Sequence, residues 1–191
     1  MRQSLLITNT LFALFLYSSA TASEVIPKFD DASIPVLNEE LRGLDARLSN
    51  IEDNKIGFSV HKNGTNQTGV VTATWTKVTW PTEEYDEGAI FKSDKFTPAS
   101  AGIYQINAAI QFTVLVTLAD YRIAVYKNGV AYKLSTTAAS GTGGQGVNIS
   151  VTVKASKTDY FEIFAYQASG VNQAIDGAST VTFFQSIKII D

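Results

Sequence analysis

Along most of this chain, apolar and polar residues alternate with a period of two. Tyr104, Ile106, Ala108, Ile110 and Phe112 fall on one side of a run, with Gln105, Asn107 and Gln111 on the other. Val147, Ile149, Val151 and Val153 repeat the pattern against Asn148, Ser150 and Thr152. Successive side chains of a strand point to opposite faces, so each run predicts a strand with one side on a core. Asn128-Gly129 separates 121–127 from 130–134 and predicts a tight hairpin, because both residues accept the positive φ of its turn. Residues 160–166 and 180–190 predict two more strands, the last lying inside the sheet. Ahead of residue 56 the period changes. Leu37, Leu41, Leu44, Leu48 and Ile51 step by four, three, four and three. That spacing predicts a helix over 37–55, with Leu41 and Leu48 at a and Leu37, Leu44 and Ile51 at d of a heptad.

A short helix cannot hide such a stripe by itself, so the stripe calls for partner copies of the same chain. Leucine at a with a partly isoleucine d series is compatible with more than two strands, and three is the expected number. Arg47 at g faces Glu52 at the following e position, a pairing suited to parallel helices. Gly43 costs roughly 1 kcal/mol relative to alanine, and helices of about 12 to 15 residues are marginal in water, so the β-rich part must supply most of the association. The competing expectation is that the leucines pack on the chain's own β domain.

Residues 1–22 have the organisation of a cleaved secretory signal: Arg2, an apolar run over 11–17, and Ala20-Thr21-Ala22 as a small-residue cleavage site. Residues 23–36 carry two prolines, Asp30 and Asp31, without periodicity, and read as an extended leader. The chain is therefore expected to be secreted or extracellular, with a periplasmic or surface-associated site if bacterial. No later stretch has membrane-spanning length, so no membrane insertion is expected. The chain has no cysteine, which excludes disulfides, thiol catalysis and cysteine-based zinc sites. Its formal charge is −3, and losing Arg2 makes it −4, which gives no reason to expect nucleic acid as a partner.

Polar, glycine-rich segments at 140–146 and 169–172 are loop compositions, and many short strands with short connections predict an all-β sandwich or jelly roll over 56–191. Within it, Gly57-Phe58-Ser59-Val60, Trp75-Thr76-Lys77-Val78, Tyr85 to Phe91, and above all Phe96-Thr97-Pro98-Ala99-Ser100-Ala101-Gly102-Ile103-Tyr104 stand in a recognisable order. Lys127-Asn128-Gly129, 156–159 before Tyr160, and Phe183-Phe184 complete it. Together they resemble the globular head of complement component one-q, within the tumour necrosis factor-like superfamily. Thr158 and Gln185 depart from that pattern, which often has glycine in both regions. The resemblance implies a ten-stranded jelly roll that associates as a homotrimer and recognises ligands through exposed loops. The chain has no collagen-like Gly-X-Y segment, so complement activation is not implied.

His61 is the only histidine, which leaves little material for a metal site or a Ser-His-Asp relay. Glu83, Glu84, Asp86 and Glu87 offer hard oxygen ligands that calcium would accept, but without a spaced calcium-loop motif, so no metal or cofactor is assigned. Asn63, Asn66 and Asn148 satisfy the glycosylation acceptor rule. Trp75, Trp80, Tyr85 and Tyr132 could stack on a ligand or fill the core and subunit interface. The expected function is that of a secreted, non-enzymatic trimer presenting head loops, first among them 82–88, 140–146 and 169–176, to an extracellular protein, glycan or cell surface. The alternative is a structural assembly or cap module of a larger surface or particle structure.

Overall fold

In the computed structural model the described residues are 33–53, 56–139 and 143–190. The expected signal, most of the leader and most of the tip of the 140–146 loop lie outside them. The helix α1 spans Ser33–Asp53. It starts four residues ahead of the expected position, so 33–36 form its first turn instead of ending the leader. Pro35 is tolerated there because the first-turn amides make no bond within the helix. The added turn brings Ile34 into the a series, one heptad before Leu41. Ile34, Leu37, Leu41, Leu44 and Leu48 are between 40% and 57% exposed.

The head contains thirteen strands among the described residues: β1 (Gly57–His61), β2 (Gln67–Val70), β3 (Thr76–Lys77), β4 (Thr82–Glu87), β5 (Phe91–Lys92), β6 (Lys95–Phe96), β7 (Gly102–Phe112), β8 (Asp120–Lys127), β9 (Val130–Ala138), β10 (Gln145–Ala155), β11 (Phe161–Gln167), β12 (Gln173–Ile175) and β13 (Phe183–Ile190). β3, β5 and β6 have only two residues each, and the other ten are longer. One sheet runs β2-β12-β7-β13-β1-β4, with β10 on the other side of β7. The second runs β5-β6-β11-β8-β9, with β3 also on β11. All pairings are antiparallel, and β13 lies between β1 and β7, inside the sheet as expected.

The alternation places the core between the two sheets. Tyr104, Ile106, Ala108, Ile110 and Phe112 of β7 are buried, as are Tyr121, Ile123 and Val125 of β8 and Phe161, Ile163 and Ala165 of β11. Phe58 is at the centre of an aromatic group, its ring 4.8 Å from Phe91, 4.9 Å from Phe184 and 5.3 Å from Phe96. The 96–104 motif has a plain physical basis here. Phe96 packs on Tyr104 at 5.3 Å and on Phe161 at 5.5 Å, and the Tyr104 hydroxyl donates to the Ser100 carbonyl. Gly102 opens β7 where a Cβ would lie 2.6 Å from the Ile190 carbonyl oxygen, so close strand approach, more than the turn itself, requires glycine.

The hairpin between β8 and β9 turns on Asn128 and Gly129 with φ of 55° and 79°, the paired positive values expected of it. Its turn is tied to the 156–159 segment. The Asn128 amide donates to Asp159 at 2.8 Å, while its carbonyl oxygen accepts from the Tyr160 N–H at 2.9 Å. Asp159 also accepts from the Ser156 N–H at 2.8 Å and pairs with Lys127 at 3.0 Å. These bonds, the one from Asn128 foremost, hold its carboxyl far below the ordinary aspartate range.

Lys62, next to β1, is a buried cation. Its ammonium donates to the Thr79 carbonyl at 2.6 Å and to the Thr79 hydroxyl, and stands 5.9 Å from the Trp80 ring. Desolvation lowers its pKa to about 8, with Asp94 acting in the opposite direction.

Candidate binding surfaces

The exposed side of α1 is the first surface the chain leaves open. Ile34, Leu37, Leu41, Leu44 and Leu48 follow one another at a and d spacing, and a heptad seam of this kind is apolar area that water does not favour. Ile51 continues the series in sequence. Gly43 lies within the continuous helix and faces open space, with nothing within 4 Å of where a Cβ would be.

The acidic segment is not a loop. Residues 82–87 form the edge strand β4, paired with β1 and irregular between Ser59 and Val60. Pairing with β1 overrides the poor strand propensity of Glu and Asp, a common outcome for exposed edges. Asp86 accepts from the backbone N–H groups of Ile90 and Phe91 at 2.9 and 3.1 Å, which commits both its oxygens to closing the turn after β4. Glu84 accepts from the Ser59 hydroxyl at 2.9 Å. Among the described residues no three His, Asp or Glu side chains converge as a metal site.

Ser59, His61 and Glu84 share a shallow depression of about 330 Å³ with Ser179, Thr180, Phe183 and Gln185. The contacts do not form a nucleophilic relay. The Ser59 hydroxyl donates its hydrogen bond to Glu84, and His61 Nδ1 accepts from the Asn63 N–H at 3.0 Å, so neither is directed at the other.

The 169–176 segment is held from several sides. Gln167 donates to the carbonyls of Val70 and Val171, and the Gly170 N–H donates to the Thr72 hydroxyl. It continues into β12 at Gln173–Ile175, and Ser169 to Asn172 form the hydrogen-bonded turn before that strand. Asn66, one of the three glycosylation acceptors by sequence, spends its side-chain oxygen on the Gly177 N–H at 2.7 Å. Asn148 is exposed on β10.

The four named aromatics part company. Trp80 is buried in the core at 4% exposure, and Tyr85 and Tyr132 are exposed on the strands β4 and β9. Trp75 stands half-buried on the outward face of the six-stranded sheet, 5.3 Å from Tyr166 and 6.0 Å from Tyr126. Sequence reading did not mark Tyr126, Phe164 and Tyr166 as surface groups. β11 is apolar on both sides, the pattern of a strand covered on both faces.

No protein-family profile and no curated protein matches this chain. Solved structures do share the shape of the head. Eiger TNF from S. frugiperda is 9% identical, with a TM-score of 0.53 over 72% of this chain and 94% of that one. Murine APRIL at pH 5.0 is 11% identical, with a TM-score of 0.54 over 71% and 99%. The globular domain of zebrafish complement 1qA protein is 15% identical, with a TM-score of 0.49 over 71% and 98%. The head thus shares the all-β jelly-roll fold of the first two of these structures, the fold that the resemblance carried by the 96–104 motif implies.

Proposed function

We propose that this chain is an exported, non-enzymatic binding protein that associates as a homotrimer and presents its jelly-roll heads to an extracellular protein, glycan or cell surface. The observation that carries the reading is the row of exposed apolar residues from Ile34 to Leu48 in heptad register, next in sequence to a tumour necrosis factor-like head. Such a seam gains stability only against a partner, and a copy of the same helix offers a matching one. Leu37, Leu41, Leu44, Leu48 and Ile51 are the residues assigned to trimerisation. Association multiplies weak contacts, because once one head is bound the others engage at high effective concentration. The head then requires no deep cleft.

Light scattering at several concentrations, on protein with and without residues 33–53, tests the reading. Three copies are expected in both cases. Monomers from the intact protein would end the trimer proposal. Monomers only after deletion would move the work of association from the heads to the helix.

A further inference from the structure

The register of the six-stranded sheet gathers aromatic side chains on its outward face. Phe164 pairs with Ala124 and with Lys77, Tyr166 pairs with Arg122, and Leu134 pairs with Ala124. Tyr126 and Phe164 stack at 4.0 Å, and Trp75 leans against both Tyr126 and Tyr166. The Arg122 guanidinium lies 5.0 Å over the Tyr166 ring. Ala124 is fully buried beneath this group, while Leu134 at its edge is 54% exposed. All four rings remain half-buried, not covered.

Two properties suggest an occupant. First, the Tyr126 and Tyr166 hydroxyls and the Trp75 indole N–H have no hydrogen-bond partner among the described residues, and none is sealed from solvent. Second, each charge around the rings has an opposite partner within the face, three cations (Arg122, Lys77 and Lys95) against two carboxylates (Asp120 and Glu162). Asp120 accepts from Arg122 Nε at 2.7 Å and from Thr136 at 2.8 Å, and Glu162 pairs with Lys77 at 2.8 Å and Lys95 at 3.7 Å. Two of the three cations are offset by carboxylates, so the remaining field to select an anion is small. A few half-exposed rings also fall short of the roughly 800 Å² that each side of a stable protein interface buries. A pyranose ring presents C–H bonds on its flat side and hydroxyls at its rim, which complements aromatic faces edged by free donors.

We propose that this face is a platform for neutral glycans, with a sugar ring laid on Trp75 and its hydroxyls bonded by Tyr126, Tyr166 and Arg122. The proposal deepens the reading of the head as a binding module and rests on it.

Titration of the intact protein with neutral oligosaccharides, fragments of glucans, mannans and galactans, tests it through tryptophan emission. Trp80 is buried, so a change on binding reports Trp75. Saturable binding is expected, weakened about tenfold in Trp75→Ala and about threefold in Trp75→Phe, which keeps a ring in place. Tyr85→Ala should bind like the parent. Circular dichroism on each variant checks folding, and Tyr166→Phe, which removes only one hydroxyl, should still weaken binding about threefold. The proposal fails if no neutral oligosaccharide binds, if affinity survives Trp75→Ala, or if only sulfated sugars bind and high salt releases them. Light scattering on the same samples separates the two readings. Trimers that ignore sugars overturn the platform alone, and monomers that bind them overturn the trimer alone.

Discussion

The helix and the head treat apolar side chains in opposite ways. In the head, Phe58, Phe96, Phe161 and Phe184 are wholly buried between two sheets of the same chain. In α1 the leucines have the regular spacing of a packed face yet remain about half exposed. The same hydrophobic driving force therefore fills the head's core from its own chain and leaves the leucines of the helix as open apolar area. Stability of one and association of the other should respond to different substitutions.

The strongest break of that contrast is Phe58→Ala. Loss of a ring touching three other phenylalanines should destabilise the head by about 3 to 5 kcal/mol, read by thermal or urea unfolding. Leu41→Ala, by comparison, should leave the head's unfolding midpoint at fixed oligomeric state unchanged and shift only the association equilibrium. A head weakened equally by both would erase the distinction.

A smaller effect is expected at Asp159, which fastens the β8–β9 turn. Its folded pKa lies below its unfolded value near 3.8, so its contribution is fully present above that pH and is lost as pH falls toward the folded pKa. Asp159→Asn should lower stability at neutral pH by about 1 to 2 kcal/mol and flatten the acid limb of the stability curve. An unchanged acid limb would refute the assignment. The smallest change concerns the helix. Gly43→Ala adds a methyl into open space and should stabilise α1 by roughly 1 kcal/mol, seen as higher helicity and tighter association with the head's unfolding untouched.

Much of this fold could be read from local pattern. β7, β10 and the Asn128-Gly129 hairpin appear where alternation and turn chemistry place them, because each has one wet and one dry side. β4 could not be read that way: its Glu-Glu-Tyr-Asp-Glu run resembles a loop until β1 is beside it. The two-residue strands β3, β5 and β6 carry no period at all. The start of α1 was obscured by Pro35, whose usual meaning as a breaker does not hold in a first turn. Among the candidate surfaces, the leucine spacing was plain in sequence. The aromatic face was not, since Glu162, Phe164 and Tyr166 alternate with Phe161, Ile163 and Ala165, and only the register with β8 tells inside from outside.

The place of β13 has a consequence for how the head comes into being. Its eight residues fill the gap between β1 and β7, so the first strand made waits for the last before it has a neighbour on that side. Ring closure between such distant segments is slow, and no ribosome-bound fragment ending before residue 183 can complete the sandwich. A premature stop there would yield two raw strand edges rather than a smaller head, and those edges would invite aggregation.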